Sequence, residues 1–286
     1  MSRYLLPLAV ALLLAANVSA QDWALARLDQ SPRHQEWVTV TQGTRKVQCF
    51  VVYPEVKDKA PVVLVIHEIF GLSDWARSLA DELAAAGYIA IAPDLLSGLA
   101  PGGGGTSEFS GQSAITKAVS MLPADQVTAD LNAVADYARQ LPAASNQLMV
   151  AGFCWGGGKS FSFATNRHDL KAAFVFYGVA PKPEDQARIT CPVYGFYAGN
   201  DGRISLTVPQ TAEAMKQAGK AYEPVIYDGA GHGFMRAGDA PAPAAPPATA
   251  DAATQAKYQA ALTAYQANKK ARDDAWARWR ELLSKG

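Results

Sequence analysis

Three side chains far apart in the chain, Cys154, Asp201 and His232, have the types and surroundings that nucleophilic acyl chemistry requires. Cys154 sits in Gly152-Phe153-Cys154-Trp155-Gly156-Gly157, directly after the apolar run Leu148 to Ala151. A short buried strand that breaks into Gly-x-Cys-x-Gly-Gly and then enters a helix reads as a nucleophile elbow, with a thiol where most such turns carry serine. A free thiol has a pKa near about 8.5, so little of it is thiolate at neutral pH and an adjacent base must draw off its proton. His232, in Gly229-Ala230-Gly231-His232-Gly233-Phe234, is the candidate base. Asp201, in Ala198-Gly199-Asn200-Asp201-Gly202, would fix the imidazole tautomer and stabilise its cation. Both lie in Gly-flanked loops after apolar strands, where an open parallel sheet places its binding crevice.

A second cluster, His67-Glu68-Ile69-Phe70-Gly71, ends the strand-like run Pro61 to His67. In a strand-elbow-helix site one oxyanion donor is the N–H after the nucleophile and the other comes from such a turn, which assigns the backbone amides of Trp155 and Ile69. A zinc reading of His67-Glu68 fails because no second histidine follows at metalloprotease spacing, and no metal or other cofactor is called for. Gly156-Gly157-Gly158-Lys159-Ser160 ends like a phosphate-binding loop, but Phe153 stands where that pattern needs glycine.

The elements that must hold these residues follow from hydrophobic periodicity. Strand-like runs occupy Trp37 to Gln42, Val47 to Tyr53, Pro61 to His67, Tyr88 to Ala92, Gln147 to Ala151, Ala172 to Tyr177, Pro192 to Ala198 and Tyr222 to Tyr227. Helical patterns cover Asp74 to Ala86, with Ser73 as its cap, then Ala124 to Leu141, Gly157 to Arg167 and Val208 to Ala218. Two opening strands followed by strand-helix alternation predict an α/β fold: an antiparallel hairpin, then a mostly parallel sheet of about eight strands with helices on both faces. Ala237 to Ala256, rich in Ala and Pro, reads as a surface linker within one domain. Beyond it Tyr258, Leu262, Tyr265, Trp276, Trp279 and Leu283 share a helical stripe that is expected to pack back on the sheet.

The chain has 286 residues, of which 49% are hydrophobic, enough for a sizeable core. Lys and Arg total 26 against 26 Asp and Glu, so no global field draws it to nucleic acid or an anionic membrane. Residues 1–20 read as a secretory signal: Arg3 is the basic start, Leu5 to Ala16 the apolar stretch, and Val18-Ser19-Ala20 a cleavage site. Cleavage after Ala20 and a secreted or periplasmic mature protein are expected, with no membrane span. The three cysteines leave at least one free thiol; Cys49 and Cys191, in apolar strand-like segments, are expected to be buried and unreactive rather than paired.

Taken together, His67 to Gly71, Pro93-Asp94-Leu95, Gly152 to Gly157, Gly199 to Gly202 and Gly231 to Phe234 resemble the dienelactone hydrolase family, over about Trp37 to Arg236 and a final helix in Lys269 to Leu283. The resemblance implies an α/β-hydrolase fold and hydrolysis of a small lactone or ester through a cysteinyl acyl-enzyme, by a protein expected to act as a monomer. It further implies that Glu68 helps to deprotonate Cys154 once substrate binds, and that Arg236 holds a substrate carboxylate. Family members acting on dienelactone carry another arginine shortly after Pro-Asp-Leu, whereas here Leu96-Ser97-Gly98 follow. The Ala/Pro stretch with Ala256 to Ala267 resembles an insertion beside Arg236. A peptidase or transacylase on this fold is the alternative enzyme; a ligand-binding or redox-sensing module is the alternative without hydrolysis.

Overall fold

A computed structural model describes residues 22–285, so the expected leader lies outside the described residues. The fold is built on one sheet of eight strands: β1 (Gln35–Gln42), β2 (Arg45–Val52), β3 (Ala60–Ile66), β4 (Ile89–Pro93), β5 (Ala144–Phe153), β6 (Ala172–Phe176), β7 (Val193–Ala198) and β8 (Tyr222–Tyr227). Their spatial order is β1-β2-β4-β3-β5-β6-β7-β8. β2 runs antiparallel to both β1 and β4, and every pair from β4 to β8 is parallel. The predicted α/β-hydrolase architecture is thus present, hairpin included.

Successive side chains of a strand point to opposite faces, and β3 shows what that means for a fully buried strand. Val62, Leu64 and Ile66 enter one core and Val63 and Val65 the other, all inaccessible to solvent. Besides a helical segment at residues 22–29, the α-helices among the described residues are α1 (Asp74–Ala85), α2 (Gln112–Ser120), α3 (Ala124–Arg139), α4 (Trp155–Ala164), α5 (Pro183–Gln186), α6 (Val208–Gln217) and α7 (Ala252–Leu283). The first core is covered by α3, α4 and α6, through residues such as Leu131, Phe161 and Met215. α1 and the C-terminal half of α7 cover the second, through Leu79, Leu83 and Trp279. Trp279 meets Phe153, Phe174 and Phe176 with ring centroids 5.9, 5.8 and 4.9 Å away. Truncating such a side chain to alanine costs about 3–5 kcal/mol.

Two helix starts differ from those read in the sequence. α4 begins at Trp155, two residues before the expected start, because the chain enters the helix straight from the elbow. α7 begins at Ala252 rather than beyond Ala256: the Asp251 side chain caps it by accepting from the Thr254 N–H at 2.7 Å. The Ala/Pro segment ahead of it runs back along this helix, tied by Tyr265 Oη to the Ala240 carbonyl (3.1 Å) and by Lys269 Nζ to the Gly238 carbonyl (2.6 Å). Among the described residues no helix is long and apolar enough to cross a membrane.

Candidate active site

Four loops meet at one edge of the sheet because β3, β5, β7 and β8 are parallel and each hands on its loop at its carboxyl end. They carry Glu68, Cys154, Asp201 and His232. Cys154 has φ 56° and ψ −116°, a conformation that costs a non-glycine residue about 1–3 kcal/mol. The turn is held from both sides. The Cys154 N–H donates to the Phe176 carbonyl at 3.0 Å, and the Cys154 carbonyl accepts from the Gly158 N–H at 3.2 Å. Its tightness explains two glycines: a Cβ at Gly152 would lie 1.9 Å from the Gly156 carbonyl oxygen, and one at Gly156 would lie 2.3 Å from that of His67. Both obstacles are backbone, which no side-chain rotation relieves.

The His232 Nδ1–H donates to Asp201 Oδ2 at 2.6 Å, and Cys154 lies near enough to the ring to act on its charge. Interaction with Cys154 is the main reason the His232 pKa lies above its ordinary 6.5; burial opposes it and Asp201 reinforces it. Asp201 is itself fixed, since Oδ1 accepts from the backbone N–H groups of Arg203 and Ile204 at 3.3 and 3.2 Å. Trp155 is the first residue of α4, so its N–H has no acceptor within the helix. Trp155 and Ile69 line the same cleft as Cys154 and His232, a space of about 560 Å³.

Glu68 is 2% exposed. Arg236 Nη1 donates to its Oε2 at 2.5 Å and Tyr177 Oη to its Oε1 at 3.2 Å. Burial works against the Arg236 charge, but Glu68 foremost, with the other acidic groups around it, offsets this and holds the guanidinium pKa above its usual range. Burial also pushes Tyr177 far up, keeping the phenol protonated and a donor. His67, fully buried, is kept neutral by that burial; its Nδ1–H donates to the Glu68 carbonyl at 2.7 Å and its ring stacks on Trp155. Asp94 of Pro-Asp-Leu serves the loop after β4, accepting from the Leu96 and Thr106 N–H groups and from the Thr106 hydroxyl.

A model of the dienelactone hydrolase family matches residues 47–285. The chain belongs to the dienelactone hydrolase family. Over 194 residues it is 36% identical to a Salmonella typhi protein provisionally named carboxymethylenebutenolidase, covering 63% of this chain and 70% of that one. A Saccharolobus solfataricus protein of the same provisional name is 30% identical over 223 residues, 66% of this chain and 84% of that one. Among solved structures, a provisionally named dienelactone hydrolase of Klebsiella pneumoniae superposes with a TM-score of 0.65 at 28% identity, covering 82% of this chain and 98% of the other. The chain is therefore a hydrolase-family protein of the dienelactone hydrolase type.

Of the seven site residues expected in this dienelactone hydrolase relative, Cys154, His232, Ile69 and Trp155 line the cleft, while Asp201 stands behind it on His232, and Glu68, with Arg236, behind it on Tyr177. Sequence reading missed Tyr177, whose φ of 40° turns it under the site after β6, where its ring meets that of His232 edge-on at 5.0 Å. It also missed Asn268 of α7, whose Oδ1 accepts from the Gly231 N–H at 2.7 Å, one residue from His232. No local pattern marks either. Cys49 and Cys191 are free and buried, and burial raises the Cys191 pKa to about 11. Among the described residues no cluster of three or more His, Cys, Asp or Glu is placed to hold a metal ion.

Proposed function

We propose that this protein is an exported thiol hydrolase that cleaves small lactones or carboxylic esters through a cysteinyl acyl-enzyme. The observation that carries the reading is the run of contacts from Cys154 through His232 to Asp201, with the thiol on a strained elbow at the mouth of the cleft. In the first step the Cys154 sulfur attacks the carbonyl carbon while its proton passes to His232. The developing oxyanion faces the backbone N–H groups of Ile69 and Trp155, each such donor contributing about 3 kcal/mol. Collapse expels the alcohol, which takes the proton from the imidazolium. Water, deprotonated by the same histidine, then attacks the thioester and frees the acid and the thiol.

Glu68 assists the first proton transfer. In the resting protein its carboxylate is occupied by Arg236 and Tyr177. A substrate carboxylate competing for Arg236 loosens that hold and leaves Glu68 free to relay the thiol proton to His232, so that the one proton still ends on the imidazole that later protonates the alcohol. Export rests on the pattern of residues 1–20; N-terminal sequencing of protein recovered outside the cytoplasm should begin at Gln21. The hydrolase reading is tested with a chromogenic short-chain ester. Wild-type protein should turn it over and Cys154→Ala should not, and equal rates would dismiss the proposal.

A further inference from the structure

The cleft over Cys154 carries more positive charge than the proposed reaction uses. Among the described residues, its lining includes two cationic side chains, Lys159 of α4 and Arg203 of the loop after β7, and no Asp or Glu. Neither side chain has an ion pair or hydrogen-bond partner among the described residues. Most other basic side chains near the sheet edge are spoken for: Arg236 by Glu68 and Arg188 by Asp185. Lys159 is also half-buried, with its ammonium 5.1 Å from the centre of the Trp155 ring, and burial lowers its pKa. A half-desolvated cation without a counter-ion is unfavourable by itself and favours an anionic ligand that restores the balance.

The rest of the wall is largely apolar, with Ile69, Trp155, Val179, Ala180 and Ile204 facing the same space. A complementary ligand thus has an apolar body and an anionic tip. A smaller recess of about 220 Å³ adjoins through Lys159 and Ser162, but Asp125 and Asp185 line it, so the anion belongs on the near side of Lys159. Arg236 does not line this cleft and is tied to Glu68, so it is a different charge from the one needed here.

We propose that Lys159 and Arg203 form a second carboxylate-binding end of the cleft, selecting acyl groups that carry a carboxylate at the end distal from the scissile carbonyl, such as monoesters of short dicarboxylic acids. This rests on the hydrolase reading above and adds specificity residues to it. Arg203 is exposed, whereas Lys159 lies over the Trp155 ring, so Lys159 sets the position and Arg203 faces the ligand from the solvent side.

The test compares the 4-nitrophenyl monoester of glutaric acid with 4-nitrophenyl valerate, in wild type, in Lys159→Gln/Arg203→Gln and in the charge-conserving Lys159→Arg/Arg203→Lys. The ratio of kcat/KM for the acidic over the neutral ester should fall about tenfold or more in the neutralised variant and be largely kept in the charge-conserving one. An unchanged ratio in the neutralised variant, which retains Arg236, would overturn the proposal. A second measurement is independent of turnover: calorimetric binding of glutarate to Cys154→Ala, with and without the two neutralising changes. Loss of binding on neutralisation supports the anion site even if no ester is cleaved; equal binding contradicts it even if esters are.

Discussion

The carboxylate of Glu68, 2% exposed, and the guanidinium of Arg236 are joined at 2.5 Å across 168 positions of sequence. This pair gives the resting site its shape, because it occupies both the group that would help to ionise Cys154 and the group that would greet an anionic substrate. Removing Arg236 leaves a buried carboxylate with Tyr177 as its remaining side-chain partner. Such a loss costs about 3–5 kcal/mol for a fully buried pair, and solvent at the 39% exposed Arg236 reduces that to about 1–3 kcal/mol. Arg236→Gln should therefore lower the melting temperature, and adding Glu68→Gln should recover part of the loss. An additive second loss would show that the two residues act independently. The same Arg236 change should penalise anionic lactones more than neutral esters in kcat/KM; a uniform penalty would assign Arg236 a structural role only.

His232 has a raised pKa, with Cys154 the largest cause. A base must be neutral to take a proton, so the acid limb of kcat/KM should lie above pH 6.5. In an NMR titration, Cys154→Ala should bring the His232 pKa down, since the largest raising contact is gone. For stability, a raised histidine pKa helps the fold below the unfolded value and loses that help as pH climbs through the folded one. An unmoved His232 titration in Cys154→Ala would mean the two side chains do not interact in solution.

Asp201→Asn keeps the shape of the side chain but removes the charge that fixes the His232 tautomer. The expected result is a fall in kcat of about a thousandfold, with far-ultraviolet circular dichroism unchanged. A loss under tenfold would show that Asp201 does not orient the imidazole.

Asn268 braces the histidine loop from α7 through the Gly231 N–H. Asn268→Ala removes an acceptor from a partly buried donor, worth about 1 kcal/mol, and should lower kcat about five- to tenfold through a looser His232. Asn268→Asp retains the acceptor and should restore most of the rate. Failure of that rescue, with the helix intact, would confine Asn268 to a packing role.

The three thiols should differ sharply toward a thiol reagent in the folded state. Cys154 lines the cleft, while Cys49 and Cys191 are buried and show 0% and 5% exposure. One thiol should react rapidly in native protein and three after unfolding in denaturant. Fast labelling of a second thiol without denaturant would place Cys49 or Cys191 in a locally open region.

Much of this was legible in the chain because the relevant signals are local. Val62 to Ile66 is apolar at every position, which only a strand covered on both faces requires, and Gly152 and Gly156 mark a turn with no space for a side chain. The loops bearing Asp201 and His232 announced themselves by glycines after apolar runs. What stayed hidden depends on distant packing. α2 buries Val119 alone among its nine residues, so its periodicity carries little signal. Tyr177 and Asn268 reach the site through the order of strands and the path of α7, neither of which leaves a mark beside those residues. Lys159 stood in a segment resembling a phosphate loop, and only the cleft reveals what its charge faces.

The central claim is a covalent acyl group on Cys154, and acid-quenched mass spectrometry during turnover of an activated ester measures it directly. The protein mass should rise by one acyl group, located on the peptide containing Cys154 and absent from Cys154→Ala. Steady turnover with no acylated Cys154 peptide, or undiminished turnover by Cys154→Ala, would contradict the account.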